Sequence, residues 1–160
     1  MGLLRINGMI EESIVDGPGL RFVIFTQGCP HHCPGCHNPQ THDPRGGFFI
    51  DTHVLLSKIC ENPLLKGVTF SGGEPFAQPE NLAELATSLH KKGLDIMTYT
   101  GYTLEALRAK NTPAINALLR QTDTLIDGPY DATKRDPSLA FRGSSNQRMI
   151  HSIPTVLNFL

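Results

Sequence analysis

Cys29, Cys33 and Cys36 stand directly after the apolar run Phe22-Val23-Ile24-Phe25. Thiolates at x3-x2 spacing can share one iron–sulfur cluster, and a cubane cluster takes four ligands. Three thiolates from one short loop leave one iron without a protein ligand. A small molecule can bind that iron, so the spacing points to chemistry at the cluster and not only to electron storage. Zinc is the competing occupant, because it takes Cys and His tetrahedrally, and His31, His32, His37 and His42 lie close by. The spacing is unusual for a zinc knuckle, and no second cysteine pair follows. Disulfides fit less well, since three of the four cysteines crowd into one short loop and the N-terminus shows no signal-peptide pattern. Ligand use in a reducing compartment is the expectation.

Further groups suited to ligand binding stand at the ends of other apolar runs. Gly72-Gly73-Glu74-Pro75 ends Val68-Thr69-Phe70-Ser71; paired glycines permit close backbone approach, although a plain strand-to-helix turn would use them equally well. Tyr99, Thr100 and Gly101 end the next run, with hydroxyls that can meet a ribose or a carboxylate; ordinary strand propensity also accounts for Tyr and Thr there. Asp127-Gly128-Pro129-Tyr130 is a good turn, with Asp127 positioned for a polar contact. The histidines read as loop surface, apart from His37, which directly follows the last cysteine. Cys60 shares an apolar helical face with Leu55, Leu56 and Ile59 and reads as a buried small hydrophobe.

These groups need elements to position them. Apolar β-rich runs alternate with helical patterns, as βα units around a mainly parallel sheet do. Strands are expected at Arg21–Thr26, Gly67–Ser71, Asp95–Thr100 and Thr124–Asp127, with a shorter opening strand near Ile6–Glu11 and a last one at Met149–Ile153. Leu82, Leu85, Ala86 and Leu89 follow helical spacing between Pro79 and Gly93. A second helix is expected over Asp51–Cys60, and a third region runs from Thr103 to Arg120 with a break at Pro113. Ligand groups in such folds sit on loops at the carboxyl ends of the strands. The cysteine loop and the three other strand-end motifs all fall on that edge.

The motif Cys29-Pro-His-His-Cys33-Pro-Gly-Cys36 resembles the cluster loop of the radical S-adenosylmethionine (SAM) enzymes. Val15-Asp16-Gly17-Pro18-Gly19-Leu20-Arg21, followed by Phe25-Thr26-Gln27-Gly28, is similar to the activating enzymes of glycyl-radical enzymes. Ser71-Gly72-Gly73-Glu74-Pro75 and Arg142-Gly143-Ser144-Ser145-Asn146-Gln147 extend the resemblance over roughly the whole chain, toward the branch that serves anaerobic ribonucleoside-triphosphate reductase. It implies an abbreviated, open partial (β/α) barrel with mainly parallel strands, and a [4Fe–4S] cluster on Cys29, Cys33 and Cys36, the catalytic set. SAM would bind the open iron. Gly72, Gly73 and Glu74 would receive its methionyl ammonium, main-chain groups of Gly35, Cys36 and His37 would serve its adenine, and Tyr99, Thr100 and Asp127 would complete the site. The implied partners are the reductase, whose glycine loop is the substrate, and an external one-electron donor such as a flavodoxin. The stretch around Asp16, with Arg21 and Gln27, would lie near the entry of that loop. Two departures stand out: Gly35 replaces the aromatic residue that often precedes the last cysteine, and Phe141 stands where relatives often carry tryptophan.

Size and charge agree with this expectation. The chain has 160 residues and a formal charge of −1, which suits one domain, 1–160, and gives no basic footprint for nucleic acid. A complete barrel of eight units takes about 250 residues, so the version here is shortened. No apolar run approaches the ~20 residues that span a bilayer, and a cytoplasmic protein is expected. With only Cys60 beyond the loop, no second cysteine-rich cluster is expected. Three rival readings differ in class: an activase of pyruvate formate-lyase type, a radical SAM enzyme acting on a small molecule, and a zinc-binding or electron-carrier module.

Overall fold

The computed structural model describes residues 2–151 and Ile153. Seven strands form one sheet: β1 (Leu3–Ser13), β2 (Arg21–Thr26), β3 (Phe48–Asp51), β4 (Gly67–Gly72), β5 (Asp95–Tyr99), β6 (Thr124–Asp127) and β7 (Arg148–His151). Their order is β3-β1-β2-β4-β5-β6-β7. The pairings β2–β4, β4–β5 and β5–β6 are parallel. The flanking pairs β1–β2, β1–β3 and β6–β7 are antiparallel. The parallel character expected from sequence therefore belongs to the four central strands, which carry the site.

Helices α1 (Thr52–Cys60), α2 (Pro79–His90), α3 (Leu104–Lys110) and α4 (Pro113–Gln121) connect these strands. Strand neighbours advance in one direction from β2 to β6, and right-handed crossovers then place the connecting helices on one face. Alternation along the strands shows it. Phe22 and Ile24 of β2, Val68 and Phe70 of β4, Ile96 of β5 and Leu125 of β6 share the core with Leu55, Ile59, Leu82, Leu85, Leu89 and Leu118 of the helices. Val23, Met97 and Ile126 are also buried but lie outside that cluster, as period-two alternation requires of the opposite face.

That second face is crossed by the β1–β2 loop. Thr69 Oγ1 donates to the Asp16 carbonyl at 2.8 Å. Arg21, fully buried, donates to Thr69 Oγ1, the Pro18 and Val68 carbonyls and Asp95 Oδ1. The expectation that Arg21 faces a protein partner is thus corrected: its guanidinium is an internal tie between the loop, β4 and β5.

Local signals explain the helix bounds. Pro79 opens α2, and Gly93 follows its end at φ 81°. Thr103 and Thr112 accept from Ala106 N and Ile115 N and so cap α3 and α4. Asp51, expected inside α1, instead caps it by accepting from His53 N. Strand β3 was not foreseen. The last strand ends at His151, with Ser152 outside the described residues and Ile153 buried in the core. Cys60 is exposed; Leu55 and Ile59, one turn apart, take the buried stripe, and Cys60 at the end of α1 falls beside it. No helix among the described residues is long and apolar enough to cross a membrane.

Candidate iron–sulfur and cofactor site

The cysteine loop leaves β2 through Gly28, whose φ of 104° lies in the region that glycine adopts freely. Two main-chain bonds close the base of the loop, Gly28 N to the Thr41 carbonyl at 2.7 Å and Cys29 N to the His42 carbonyl at 3.1 Å. The buried Gln27 amide adds two more, to the carbonyls of Gln40 at 3.0 Å and Asp43 at 2.7 Å. Gln27 was expected at a partner surface; it holds the loop from inside. Within the loop, Cys36 N donates to the Cys33 carbonyl at 3.1 Å, and Asn38 N reaches Cys36 Sγ at 3.4 Å.

The glycine pair at the end of β4 packs directly beneath this base. Gly73 N donates to the Thr26 carbonyl and Glu74 N to the Gly28 carbonyl, each at 2.8 Å. A Cβ on Gly72, which has φ 95°, would stand 2.5 Å from the Thr26 nitrogen, and one on Gly73 would collide with the Gly28 carbonyl oxygen. Both glycines are therefore required by close approach.

Cys29, Cys33 and Cys36 are free thiols of intermediate burial, and all three line one cleft of about 560 Å³. His37, Gly72, Gly73, Tyr99, Thr100 and Gly101 line it as well, and the wall far in sequence from the cysteines comes from Gly128, Tyr130, Phe141 and Arg142. Burial pushes the Cys29 thiol up from its ordinary pKa, opposed by hydrogen bonds from the backbone at His31 and His32. Among the described residues no three Cys, His, Asp or Glu side chains are grouped to hold a single metal ion. A multi-iron cluster gives each thiolate its own iron, so three thiols of one loop that line a single cleft supply a donor set that fits it, with one iron left unligated by the loop.

Glu74 differs from expectation. Its carboxylate is fully buried and accepts from Phe76 N at 3.0 Å, Gly101 N at 2.8 Å and Thr100 Oγ1 at 2.9 Å to either oxygen. His31 Nε2 lies 2.6 Å from Glu74 Oε1 as a further donor. This carboxylate binds the β4, β5 and cysteine loops to one another, in place of projecting into the cleft. The ring of His31 occupies the space a Gly101 side chain would need and meets Tyr102 edge-on, with centroids 4.5 Å apart. Sequence reasoning left His31 on the loop surface. Nothing local could reveal a partner at position 74.

Asp127 is likewise internal, 1% exposed. It accepts from Leu104 N at 2.8 Å and pairs with Arg148, which also pairs with Glu105. These hydrogen bonds raise the Arg148 pKa and lower that of Glu105. Tyr99 keeps its place on the cleft wall, its hydroxyl donating to the Phe141 carbonyl at 2.5 Å, and burial raises its phenol well above the usual value. Gly35, at φ 74°, stands beside Tyr130 and Ala132. In the Arg142–Gln147 segment, Gln147 Oε1 accepts from Gly143 N and Ser144 N, and its amide donates to the Gly128 carbonyl. Asn146 Nδ2 donates to the Pro129 carbonyl. The polar motif therefore folds the far wall and fastens it to the end of β6.

A family model described as a 4Fe-4S single cluster domain matches residues 15–150, and that is the class of protein the sheet edge and its thiol loop define. The chain is 33% identical to the anaerobic ribonucleoside-triphosphate reductase-activating protein of Salmonella typhi, over 92% of this chain and 99% of that protein. It is 31% identical to the protein of the same name from Escherichia coli, over 86% of this chain and 92% of the relative. The counterpart from Enterobacteria phage T4 is 33% identical over 84% and 86%. The chain belongs to the family of anaerobic ribonucleoside-triphosphate reductase-activating proteins. Among solved structures, QueE from Escherichia coli aligns with a TM-score of 0.50 at 22% identity, covering 63% of this chain and about half (53%) of that one. That likeness supports the partial-barrel fold.

Proposed function

We propose that this protein is the radical SAM activase of an anaerobic ribonucleoside-triphosphate reductase. The observation that carries the reading is the convergence of all three thiols of one loop on the wall of a cleft built at the carboxyl ends of β2, β4, β5 and β6. Relatives that the chain matches over nearly their whole length bear that activity in their names. When bound, the [4Fe–4S] cluster supplies one electron for reductive cleavage of SAM to methionine and a 5′-deoxyadenosyl radical, which takes hydrogen from a glycine α-carbon of the reductase.

The protein's own work is to hold, orient and exclude water. Cys29, Cys33 and Cys36 hold the cluster. The strand end at Gly72-Gly73 takes the methionyl group of SAM, with Thr100 beside it, while Glu74 fixes these loops from behind. Main-chain groups from Gly35 to His37 serve the adenosine end with Tyr99 on the opposite wall, and Asp127 acts through Arg148 to hold the end of β6. No side-chain acid or base is needed, because hydrogen moves as an atom. The cleft is open, which suits a substrate that is another protein's loop. In this reading the chain works as one domain in the cytoplasm and receives its electron from a carrier such as a flavodoxin.

Anaerobic reconstitution with iron and sulfide, reduction by dithionite and addition of SAM and the reductase tests the reading by EPR. A glycyl-type doublet together with 5′-deoxyadenosine is the expected result. Deoxyadenosine without the doublet would move the substrate elsewhere, and neither product would overturn the activase reading.

A further inference from the structure

Tyr130 follows β6 by three residues and reaches the cleft from a segment far in sequence from the cysteines. Two glycines flank its ring. The position of a Cβ on Gly35 is 3.6 Å from Tyr130 Cε1, and that of a Cβ on Gly143 is 3.0 Å from Cδ2 and 3.1 Å from Cε2. Cε1 and Cε2 lie on opposite edges of the ring, so the glycines border it on two sides, one from the cysteine loop and one from the far wall. His37 stands against the same ring, centroids 4.9 Å apart and planes tilted by 47°. Tyr130 is of intermediate exposure. An aromatic ring held between two residues without side chains, on the wall of a cleft that also carries the thiols, is a platform for a flat π-system.

We propose that Tyr130 is the purine-binding residue of this cleft, stacking the adenine of SAM beside Gly35. The inference rests on the SAM reading given above and adds the group that selects a nucleoside. A planar heterocycle gains from an offset or edge-on aromatic neighbour, and base–aromatic stacking is sequence-tolerant but strongly dependent on the ring itself. The ring, not the hydroxyl, carries the role. Gly143 has an ordinary φ, so an alanine there strains no backbone and acts on the ring by contact alone.

The test is anaerobic calorimetry on the cluster-loaded protein, with SAM as the titrant and with adenosine and methionine as separate competitors. Tyr130→Phe is expected to bind SAM within about twofold of the parent. Tyr130→Leu is expected to weaken SAM and adenosine alike by roughly 5- to 150-fold, the range of lost base stacking, while methionine competition and iron content stay unchanged. Gly143→Ala, which must displace the ring, should weaken SAM in the same direction. Equal SAM affinity in Tyr130→Leu and parent overturns the platform while leaving the SAM reading intact. Equal loss for adenosine and methionine also overturns it, since that marks general distortion. A parent protein that binds no SAM overturns both.

Discussion

Glu74 receives hydrogen bonds from a hydroxyl, an imidazole and two main-chain N–H groups contributed by three segments of the chain. Removing the acceptor leaves those donors without partners, and each buried orphan costs roughly 1–3 kcal/mol. Glu74→Ala is expected to lower unfolding stability by about 2–5 kcal/mol, read as a fall in the urea midpoint, with Glu74→Gln in between. An unchanged midpoint would show that the carboxylate is free to serve a ligand. The cysteines were legible because their meaning lies in local spacing. The bond between His31 and Glu74 was not, because it joins residues 43 apart through a fold that spacing alone does not describe. Arg21 and Gln27 illustrate the same limit: a polar residue beside a motif reads as exposed until the structure shows which carbonyls surround it.

Strands β2 and β6 could be bounded to the residue from the sequence, because polar residues bracket the apolar stretch of each, Phe22–Phe25 and Leu125-Ile126. Strand β3 could not. It is a four-residue edge strand after Gly46-Gly47, paired among the described residues with β1 alone, and its apolar run, Phe48-Phe49-Ile50, is short and leads straight into α1, so nothing in it separates a strand from the approach to a helix. The glycines at strand and helix ends were legible as turns, but not their separate reasons. Gly73 is needed for space and Gly93 for conformation. Gly73→Ala should therefore cost about 3 kcal/mol, the upper end of overpacking, and should reduce iron incorporation by shifting the base of the cysteine loop. Gly93→Ala, where no atom lies within 4 Å of the new Cβ, should cost about 1 kcal/mol for its left-handed φ and leave iron content alone. Thermal unfolding and iron analysis on the two variants distinguish these outcomes.

Across the molecule, the thiols and the core belong to separate parts. The apolar core lies between the sheet and its helices, whereas the cysteine loop is held by main-chain bonds, the Gln27 amide and the pairing of His31 with Glu74. Small zinc domains unfold without metal because the metal replaces a core; here a core exists without it. Chelation of the iron is expected to abolish the visible cluster absorbance while leaving the far-UV circular dichroism near its starting value. Collapse of the dichroism on chelation would show that the loop is part of the cooperative unit. The general architecture was legible at this scale, since alternating strands and helices admit few arrangements. The antiparallel flanks were not, because strand direction at an edge depends on connections rather than on composition.

The two walls of the cleft are also separated in time. The last of the three thiols is at Cys36, and Tyr130, Phe141 and Arg142, which also line the cleft, come roughly a hundred residues later in translation. At ~5–20 residues per second, the thiols emerge roughly 5–20 seconds before the wall that will face them. For that interval the nascent chain presents its metal donors from the side that later becomes the nucleoside pocket. The cleft has no complete wall until Tyr130, Phe141 and Arg142 have emerged.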